Sequence, residues 1–294
     1  MQTIGKHTDE KQYLDIMNNI LLKGDRRESR NATTLSTFGA RMEFDLSDNK
    51  IPIITTKKIA CKTIIKELLW FISGDTNNKT LQNQGVHIWD KNSTREYLDE
   101  NGFHDREEND LGPIYGFQWR HSGASYKTCH DNYDNCGVDQ LQECITAIRE
   151  TPYSRRMIVS SWNVADIQHM ALPPCHALFQ WYVSSNGELS LQLYQRSADF
   201  FLGVPFNVTS YSLLVHMVCH LTKLKAGKFI HIIGDAHIYE NHINVVKTQI
   251  NRSPHAFPTL SINREVKTID DFKLEDFTIH DYIHHDILKA DMIA

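Results

Sequence analysis

Apolar residues recur with two periods along this chain, and the two periods predict a mixture of helices and strands. Spacing of three and four residues is typical of a helix with one buried face, and it predicts helices at 13–21, 63–73, 138–150, 206–221 and 237–250. Short apolar or alternating runs predict strands at 41–46, 51–58, 157–161, 177–183, 188–194 and 229–233. We interpret this order as a single α/β (α+β) domain, spanning 1–294, in which long helices cover one mixed β-sheet.

The segments between these elements are polar or rich in turn residues. The ranges 91–110 and 122–137 are polar and weakly periodic, and we interpret both as surface insertions. The stretch 110–120 between them combines aromatic residues with glycine and proline, which is typical of packed loops. The range 24–31 carries three arginines, and such a charged run is typical of a solvated loop.

Composition excludes several classes of protein. The net charge is −5, so no overall positive field attracts nucleic acid, and any anion site must be local. The six cysteines show no zinc-type spacing and the 16 histidines form no HExxH motif, so we expect no metal. No signal-type segment opens the chain, and no apolar run approaches the roughly 20 residues of a membrane span. We therefore expect a globular protein of the cytoplasm with reduced thiols.

The stretch 171–207 and one upstream helix contain the candidate chemistry. Cys175 follows two prolines and precedes His176. A thiol acts as a nucleophile in its thiolate form, which Arg196 would stabilise if it lies close. By itself, Cys175 is more typical of a buried structural cysteine. Glu67, on a strongly apolar helix, is either a surface residue at the helix edge or a buried acid with a raised pKa.

Other polar residues in the same part of the chain suit a nucleotide, although each has a structural alternative. Arg196 and Ser197 combine a planar cation with a hydroxyl, which suits a phosphate or a surface ion pair. Asn207 has a donor and an acceptor, which suits the amide edge of a pyrimidine or the N-cap of a helix. His237 and Tyr239 would hold a sugar hydroxyl or complete a strand.

These segments together resemble the thymidylate synthase family, and the resemblance covers nearly the whole chain. It rests on the motifs at 55–57, 67–71, 88–90, 110–120, 154–156, 171–176, 192–199, 202–207 and 234–242. The inserted residues 102–109 and 122–137 resemble the eukaryote-type branch of the family.

The resemblance implies reductive methylation of dUMP to dTMP. The implied cosubstrate is 5,10-methylenetetrahydrofolate, which supplies the carbon and the hydride and leaves as dihydrofolate. Cys175 would add to carbon 6 of the pyrimidine and make carbon 5 nucleophilic. Glu67 would relay protons through water, and Tyr115 would assist proton removal at carbon 5. Hydrogen bonds and cationic side chains, rather than a metal, would meet the enolate charge.

The resemblance also implies three sets of site residues. The catalytic set is Cys175, Glu67, Tyr115, Arg196 and Asp199. The set that binds dUMP is Arg30, Arg155, Arg156, His176, Gln195, Arg196, Ser197, Asn207, His237 and Tyr239. The set that binds folate is Trp89, Asp199, Leu202, Gly203, Phe206 and Ala294. Arg155 and Arg156 would act on the site of the partner subunit, which implies a homodimer associated through its sheets.

Two segments depart from the family pattern. The loop 30–33 reads Arg-Asn-Ala-Thr where the family has Arg-Thr-Gly-Thr-Gly, so it is one residue shorter and should be stiffer without glycine. Arg30 matches only if the gap follows it, and Ser29 would otherwise take its place. The tail 279–294 lacks a glycine and two prolines, so its closure over folate is expected to be weaker or altered.

Three alternatives remain beside this interpretation. A pyrimidine nucleotide hydroxymethylase of the same superfamily adds water instead of hydride to the same intermediate. Asn207 favours uracil over cytosine and Trp89 favours the methyl product, but the altered tail leaves this alternative open because water exclusion decides the outcome. A thiol hydrolase using Cys175 and His176 is less consistent, since adjacent residues rarely place a base correctly. A non-catalytic binding protein is less consistent because the site residues are retained together.

Overall fold

A six-stranded mixed sheet organises the computed structural model, which describes residues 10–28 and 32–292. The strands are β1 (Asp25–Glu28), β2 (Thr33–Asp45), β3 (Ile158–Ser160), β4 (His176–Val183), β5 (Glu188–Asp199) and β6 (Lys225–Tyr239), in the spatial order β1-β2-β6-β5-β4-β3. β5 and β6 are parallel, whereas every other neighbouring pair of this sheet is antiparallel. A separate hairpin pairs β7 (Thr259–Ile262) with β8 (Phe277–His280).

Helices cover the sheet and bury the core between them. They are α1 (Lys11–Lys23), α2 (Cys61–Ile72), α3 (Asn78–Gln82), α4 (Arg95–Glu100), α5 (Tyr115–His121), α6 (Gln140–Glu150), α7 (Gly203–Thr222) and α8 (Ile243–Ile250). α7 connects the parallel strands β5 and β6, and most of its 20 residues are buried, as expected for a crossover helix. The predicted single α/β domain with one mixed sheet is confirmed.

One buried apolar run does not form the element that its spacing predicts. The predicted strand at 51–58 is wrong, because this buried run forms no ladder and its polar backbone groups bond elsewhere. The carboxylate of Glu10, which is 1% exposed, accepts the backbone N–H groups and the hydroxyls of Thr55 and Thr56. Periodicity cannot distinguish such a run from a buried strand.

Three further predictions are wrong for identifiable reasons. The charged range 25–28 is not a loop but the edge strand β1, whose exposed side chains conceal its pairing with β2. The stretch 115–121 is helical, since its aromatic residues pack as a buried helix rather than as loops. The predicted helix at 237–250 starts only at Ile243, because residues 237–239 complete β6.

The ranges 91–110 and 122–137 differ in structure. The first contains α4 and buries Leu98 and Asp110. The second contains no helix, and an isolated bridge joins its first residue, Ser122, to Val138, the residue that follows the range. That both are insertions stays a prediction.

Candidate active site

Cys175 immediately precedes β4, and its surroundings come from separate elements. Its backbone N–H donates to the hydroxyl of Tyr115, at the start of α5, over 2.7 Å. Arg196, on β5, donates from Nε to the carbonyl of Pro174 over 2.9 Å and from Nη2 to that of Pro173 over 2.8 Å. The fold therefore places the guanidinium beside the thiol and fixes it against the preceding dipeptide.

Burial and charge act in opposite directions on this thiol. Burial raises the pKa of Cys175 above its ordinary value, and the Arg196 guanidinium opposes that rise. Since burial is the larger effect, the thiol form prevails near neutral pH in a single chain. The thiolate that a nucleophile requires would be favoured by further positive charge at this site.

Glu67 is a buried acid, which decides between the two interpretations of its helix. It lies on α2, is 9% exposed, and accepts a hydrogen bond from Trp89 Nε1 over 2.9 Å. Burial raises the pKa of Glu67 to about 7, against a smaller lowering by the Trp89 bond. The Trp89 indole contacts the rings of Phe71 and Tyr115. A carboxyl group that titrates near neutral pH suits proton transfer.

This raised pKa predicts that Glu67→Gln stabilises the fold at alkaline pH. Between the ordinary pKa of 4.5 and the folded value of about 7, the folded chain binds more protons than the unfolded chain, so its stability falls as pH rises. The full cost of ionising Glu67, about 3 kcal/mol, is present above that range. Thermal melting at pH 8 should show the variant melting above the wild type, with the gap closing toward pH 4.5. An equal difference in melting temperature at pH 8 and at pH 4.5 would contradict the burial of a carboxyl group that titrates between them.

The side chains of His176 and Asn207 lie next to each other. His176 is the first residue of β4, and burial lowers the pKa of its imidazole to about 4, against a rise due to Asn207. The ring is therefore neutral at physiological pH. Asn207 lies in the N-terminal part of α7 and is 8% exposed. A neutral ring beside a carboxamide provides hydrogen-bonding groups without charge, as recognition of a neutral heterocycle requires.

Gln195 has a fixed amide orientation. Its Nε2 donates to the carbonyl of Ser197 over 3.0 Å, so its Oε1 accepts from His231 Nε2 over 2.8 Å. Ser197 itself is half-buried next to Arg196 on β5. Gln195 therefore supports the strand segment that carries the phosphate candidates.

Four of the predicted folate residues lie where β5 turns into α7, namely Asp199, Leu202, Gly203 and Phe206. Asp199 Oδ1 accepts the backbone N–H groups of Phe201 and Leu202 over 2.9 and 3.1 Å. Gly203 begins α7, and Phe206 follows one turn later with a partly buried ring. Asp199 thus closes the turn that positions these residues.

His237 and Tyr239 complete β6, beside the same turn. In the parallel register, Asp199 is opposite His237. His237 Nδ1 lies 3.1 Å from Asp235 Oδ1, and its ring contacts that of Tyr239 edge-on with centroids 5.1 Å apart. Asp235 also pairs with Arg27 over 2.7 Å. The carboxylate fixes the imidazole and leaves Nε2 as its other hydrogen-bonding atom.

Sequence reasoning did not assign roles to two of the residues found here. Asp235 stood within a recognised motif, but its contact with His237 depends on the strand geometry. Lys57 also stood within a motif, and its Nζ lies 3.6 Å from the centroid of the Phe201 ring. Burial lowers the pKa of Lys57 to about 7, against a rise due to Asp199.

The structure does not bring every predicted residue to Cys175. Arg155 and Arg156 are exposed and precede β3, whose Ile158 is opposite Gln180 of β4. At about 3.3 Å per residue, this register separates the two arginines from the Cys175 end of β4 by roughly 20 Å. Arg30 and Ala294 lie outside the described residues.

The tail is attached to the body at several points up to residue 292. The hydroxyl of Tyr282 donates to the carbonyl of Ile54 over 2.8 Å, and the N–H of His285 donates to that of Thr55 over 2.8 Å. Arg252 donates to the carbonyls of Thr56 and Asp286. These attachments use backbone carbonyls, which survive the loss of the glycine and prolines.

Within the described ranges, no three His, Cys, Asp or Glu side chains are grouped as metal ligands would be. No described helix has both the length and the apolar character needed to cross a bilayer.

The fold and site define an enzyme-like arrangement in which a thiol lies beside a guanidinium and is connected, through the rings of Tyr115 and Trp89, to a buried acid. The family model for thymidylate synthase matches residues 11–294. The thymidylate synthase of Saccharomyces cerevisiae is 52% identical over 280 residues, covering 92% of each chain. Those of Homo sapiens and varicella-zoster virus are 54% and 53% identical over 267 residues, covering 90% of this chain and 85% and 88% of theirs. The chain therefore belongs to the thymidylate synthase family.

Proposed function

We propose that this chain catalyses the reductive methylation of dUMP to dTMP, with 5,10-methylenetetrahydrofolate as donor of the carbon and the hydride. The observation that carries the proposal is the arrangement around Cys175. Tyr115 bonds its backbone, Arg196 lies beside it, and the rings of Tyr115 and Trp89 link it to the buried acid Glu67. Such a site combines a nucleophile with a proton-transfer group shielded from water.

Cys175 is the proposed nucleophile. Its thiolate adds to carbon 6 of the pyrimidine, and the carbon 5 enolate then attacks the folate methylene. Loss of the carbon 5 proton breaks the bond between this methylene and the folate nitrogen, and the thiolate leaves when the released tetrahydrofolate transfers hydride to the exocyclic carbon and becomes dihydrofolate. The dUMP phosphate binds Arg196 and Ser197, with Gln195 supporting this segment of β5. Arg30 is part of the same proposal. Several guanidinium groups at one dianion explain how a chain of net charge −5 binds an anionic substrate.

The base and the ribose have separate recognition residues. Asn207 hydrogen-bonds the carbonyl and imide edge of uracil, and His176 beside it adds a neutral polar group. His237 and Tyr239 hold the ribose hydroxyl, with Asp235 fixing the imidazole over 3.1 Å. Neutral groups at the base leave the negative charges of the substrate to the arginines.

Glu67 and Tyr115 move protons. Because burial raises the pKa of Glu67 to about 7, both of its protonation states are available near neutral pH. Burial also raises the pKa of Tyr115 well above its ordinary value, so its hydroxyl stays protonated and directs hydrogen bonds toward carbon 5.

The folate lies over the turn between β5 and α7. Asp199 binds the pterin, and Trp89, Leu202, Gly203 and Phe206 form the stacking surface. The tail 279–294, ending at Ala294, closes this side of the site. Its attachments at Tyr282 and His285 support closure despite the changed sequence.

A homodimer is part of the proposal, and an exposed apolar face of the sheet supports it. Tyr194 is opposite Leu178 on neighbouring strands, and both are more than a third exposed. Tyr182 is 65% exposed on the same face, and Ile158 on the edge strand is 41% exposed. Exposed apolar surface of this kind is typical of an interface. Packing two such faces would carry Arg155 and Arg156 to the phosphate site of the partner.

The hydroxymethylase alternative is not favoured. The relatives cited above are named thymidylate synthases at 52–54% identity. Asn207 lies beside His176, and Trp89 donates to Glu67, which supports the methyl-transfer interpretation. We also propose a cytoplasmic location, which the six unpaired cysteines support.

Asn207→Asp is expected to shift preference from dUMP toward dCMP. A carboxylate no longer donates to the uracil carbonyl, whereas it accepts from the cytosine amino group. The ratio of kcat/KM for dUMP to that for dCMP should fall by about tenfold to a hundredfold, because one lost hydrogen bond leaves a buried group unpaired. Steady-state kinetics with both nucleotides measure this ratio. An unchanged ratio would remove Asn207 from base selection.

The proposed function is tested by incubating the purified chain with dUMP and 5,10-methylenetetrahydrofolate. We expect dihydrofolate absorbance to rise only when dUMP is present. Production of tetrahydrofolate with a hydroxymethyl nucleotide would favour the hydroxymethylase instead.

A further inference from the structure

Five aromatic rings form a closed circuit next to the proposed site. They are Phe71 on α2, Tyr115 and Trp119 on α5, His176 on β4 and Tyr211 on α7. Neighbouring centroids around this aromatic circuit are 4.9–6.2 Å apart. Because every ring touches two others, the orientation of each member depends on the rest.

The polar atoms of the aromatic circuit are not equally satisfied. Trp119 Nε1 donates to Ser161 Oγ over 2.9 Å, and the Tyr115 hydroxyl accepts the N–H of Cys175. By contrast, the Tyr211 hydroxyl and His176 Nδ1 are buried and have no hydrogen-bond partner within residues 10–28 and 32–292. These two rings are neighbours, with centroids 5.4 Å apart and planes at 81°.

Buried polar groups are nearly always hydrogen-bonded, to protein or to ordered water. A hydroxyl both donates and accepts, and a neutral imidazole nitrogen does one or the other, so one water molecule satisfies both groups in either tautomer. Internal water of this kind is found where two or more polar groups converge.

Tyr211 is also placed to act on the base-recognition residues. It follows Asn207 by four residues on α7, so both side chains lie on one helix face. Helical side chains lean toward the N-terminus, which directs the Tyr211 ring toward Asn207 and His176. Among the described residues, no hydrogen bond joins the Tyr211 hydroxyl to Cys175.

We propose that Tyr211 is a positioning residue of the active site, whose hydroxyl and His176 Nδ1 share one internal water molecule. This bridge fixes the imidazole, and the imidazole in turn orients the Asn207 carboxamide toward the base. The proposal rests on the proposed function only in assigning the base to Asn207. The water site itself is independent of which reaction the chain catalyses.

Tyr211→Phe tests the bridge because it removes a single oxygen atom. If a water molecule joins the two groups, the variant removes one of the two groups that hold this water beside His176 Nδ1. The melting temperature should therefore fall by about 2 °C or more. If the hydroxyl has no partner, its removal should raise the melting temperature instead. The sign of the shift therefore separates the two cases.

Ser212→Ala is the matched control. Ser212 follows Tyr211 on α7, is 0% exposed, and its hydroxyl also has no partner among the described residues. It does not belong to the aromatic circuit. We expect this variant to keep the wild-type kcat and KM and to melt at the same temperature or higher.

A second readout separates positioning from general destabilisation. Tyr211→Phe should lower kcat/KM for dUMP by about tenfold and reduce the dUMP-to-dCMP preference, measured well below its melting temperature. If kcat/KM fell equally for dUMP and dCMP, so that the preference did not change, the positioning role would be overturned. Tyr211→His, which restores a donor and acceptor, should recover part of the preference.

A high-resolution electron density map of the wild type decides the water site directly. A water molecule within hydrogen-bond distance of Tyr211 Oη and His176 Nδ1 supports the proposal, even if Tyr211→Phe does not fold. Direct contact between the two atoms, or an empty space between them, would overturn it. If the wild type made no dTMP, the proposed function would fail, whereas the density and melting results would still decide the bridge.

Discussion

Cys175→Ala is expected to lower turnover by about 10⁴-fold or more while dUMP still binds, because loss of a nucleophile removes the covalent route altogether. Arg196 holds the carbonyls of Pro173 and Pro174 through bonds that do not involve the thiol. The phosphate site should therefore keep its shape in the variant. Dihydrofolate absorbance measures turnover, and equilibrium titration with dUMP measures binding.

Cys219→Ala is the control for this result. Cys219 lies on α7, and burial raises the pKa of its thiol to about 12, so it is protonated at neutral pH. We expect turnover close to that of the wild type. A Cys175→Ala enzyme with turnover within tenfold of the wild type would exclude covalent catalysis by this residue.

Mixing two inactive variants is expected to restore activity if the arginines act across subunits. One chain carries Cys175→Ala, and the other carries Arg155→Ala with Arg156→Ala. In a hybrid dimer, one site combines an intact Cys175 with intact arginines from the partner. Because the register places the arginines roughly 20 Å from Cys175 within one chain, that combination is the only productive one. Removing both guanidinium groups should cost each parent enzyme at least about a hundredfold in kcat/KM.

The hybrid is prepared by unfolding and refolding the two variants together, and activity is compared with each variant refolded alone. Recovery well above both parents supports the shared site. Activity no greater than the sum of the parents, in a preparation shown to contain mixed dimers, would place the arginines in the site of their own chain. A monomer by sedimentation would contradict the homodimer itself.

The sequence predicted the main helices and strands because their apolar periods are long. It could not predict that Glu67 is buried, since one acid on an apolar helix fits either environment and only the packing of Trp89 against it decides. The strand predicted at 51–58 was wrong for a similar reason. Its backbone partners, including Glu10 and His285, lie far away in sequence, so the local pattern contained no sign of them.

The candidate site was predicted mainly through motifs. Cys175, Arg196 and Asn207 were identified from the sequence, and the fold brings them to one place. Tyr211 was not identified, because an aromatic residue on an apolar helix is ordinary in a sequence. Its contact with His176 arises only when α7 packs beside the start of β4. Roles that depend on two distant elements therefore require the tertiary structure.

The most direct test of the central claim is the identity of the nucleotide that forms when the wild-type chain is incubated with dUMP and 5,10-methylenetetrahydrofolate. Mass spectrometry of the nucleotide and absorbance of the folate are measured in the same sample. The proposed reaction predicts dTMP and dihydrofolate in equal amounts. Hydroxymethyl-dUMP with tetrahydrofolate, or unchanged dUMP, would contradict it.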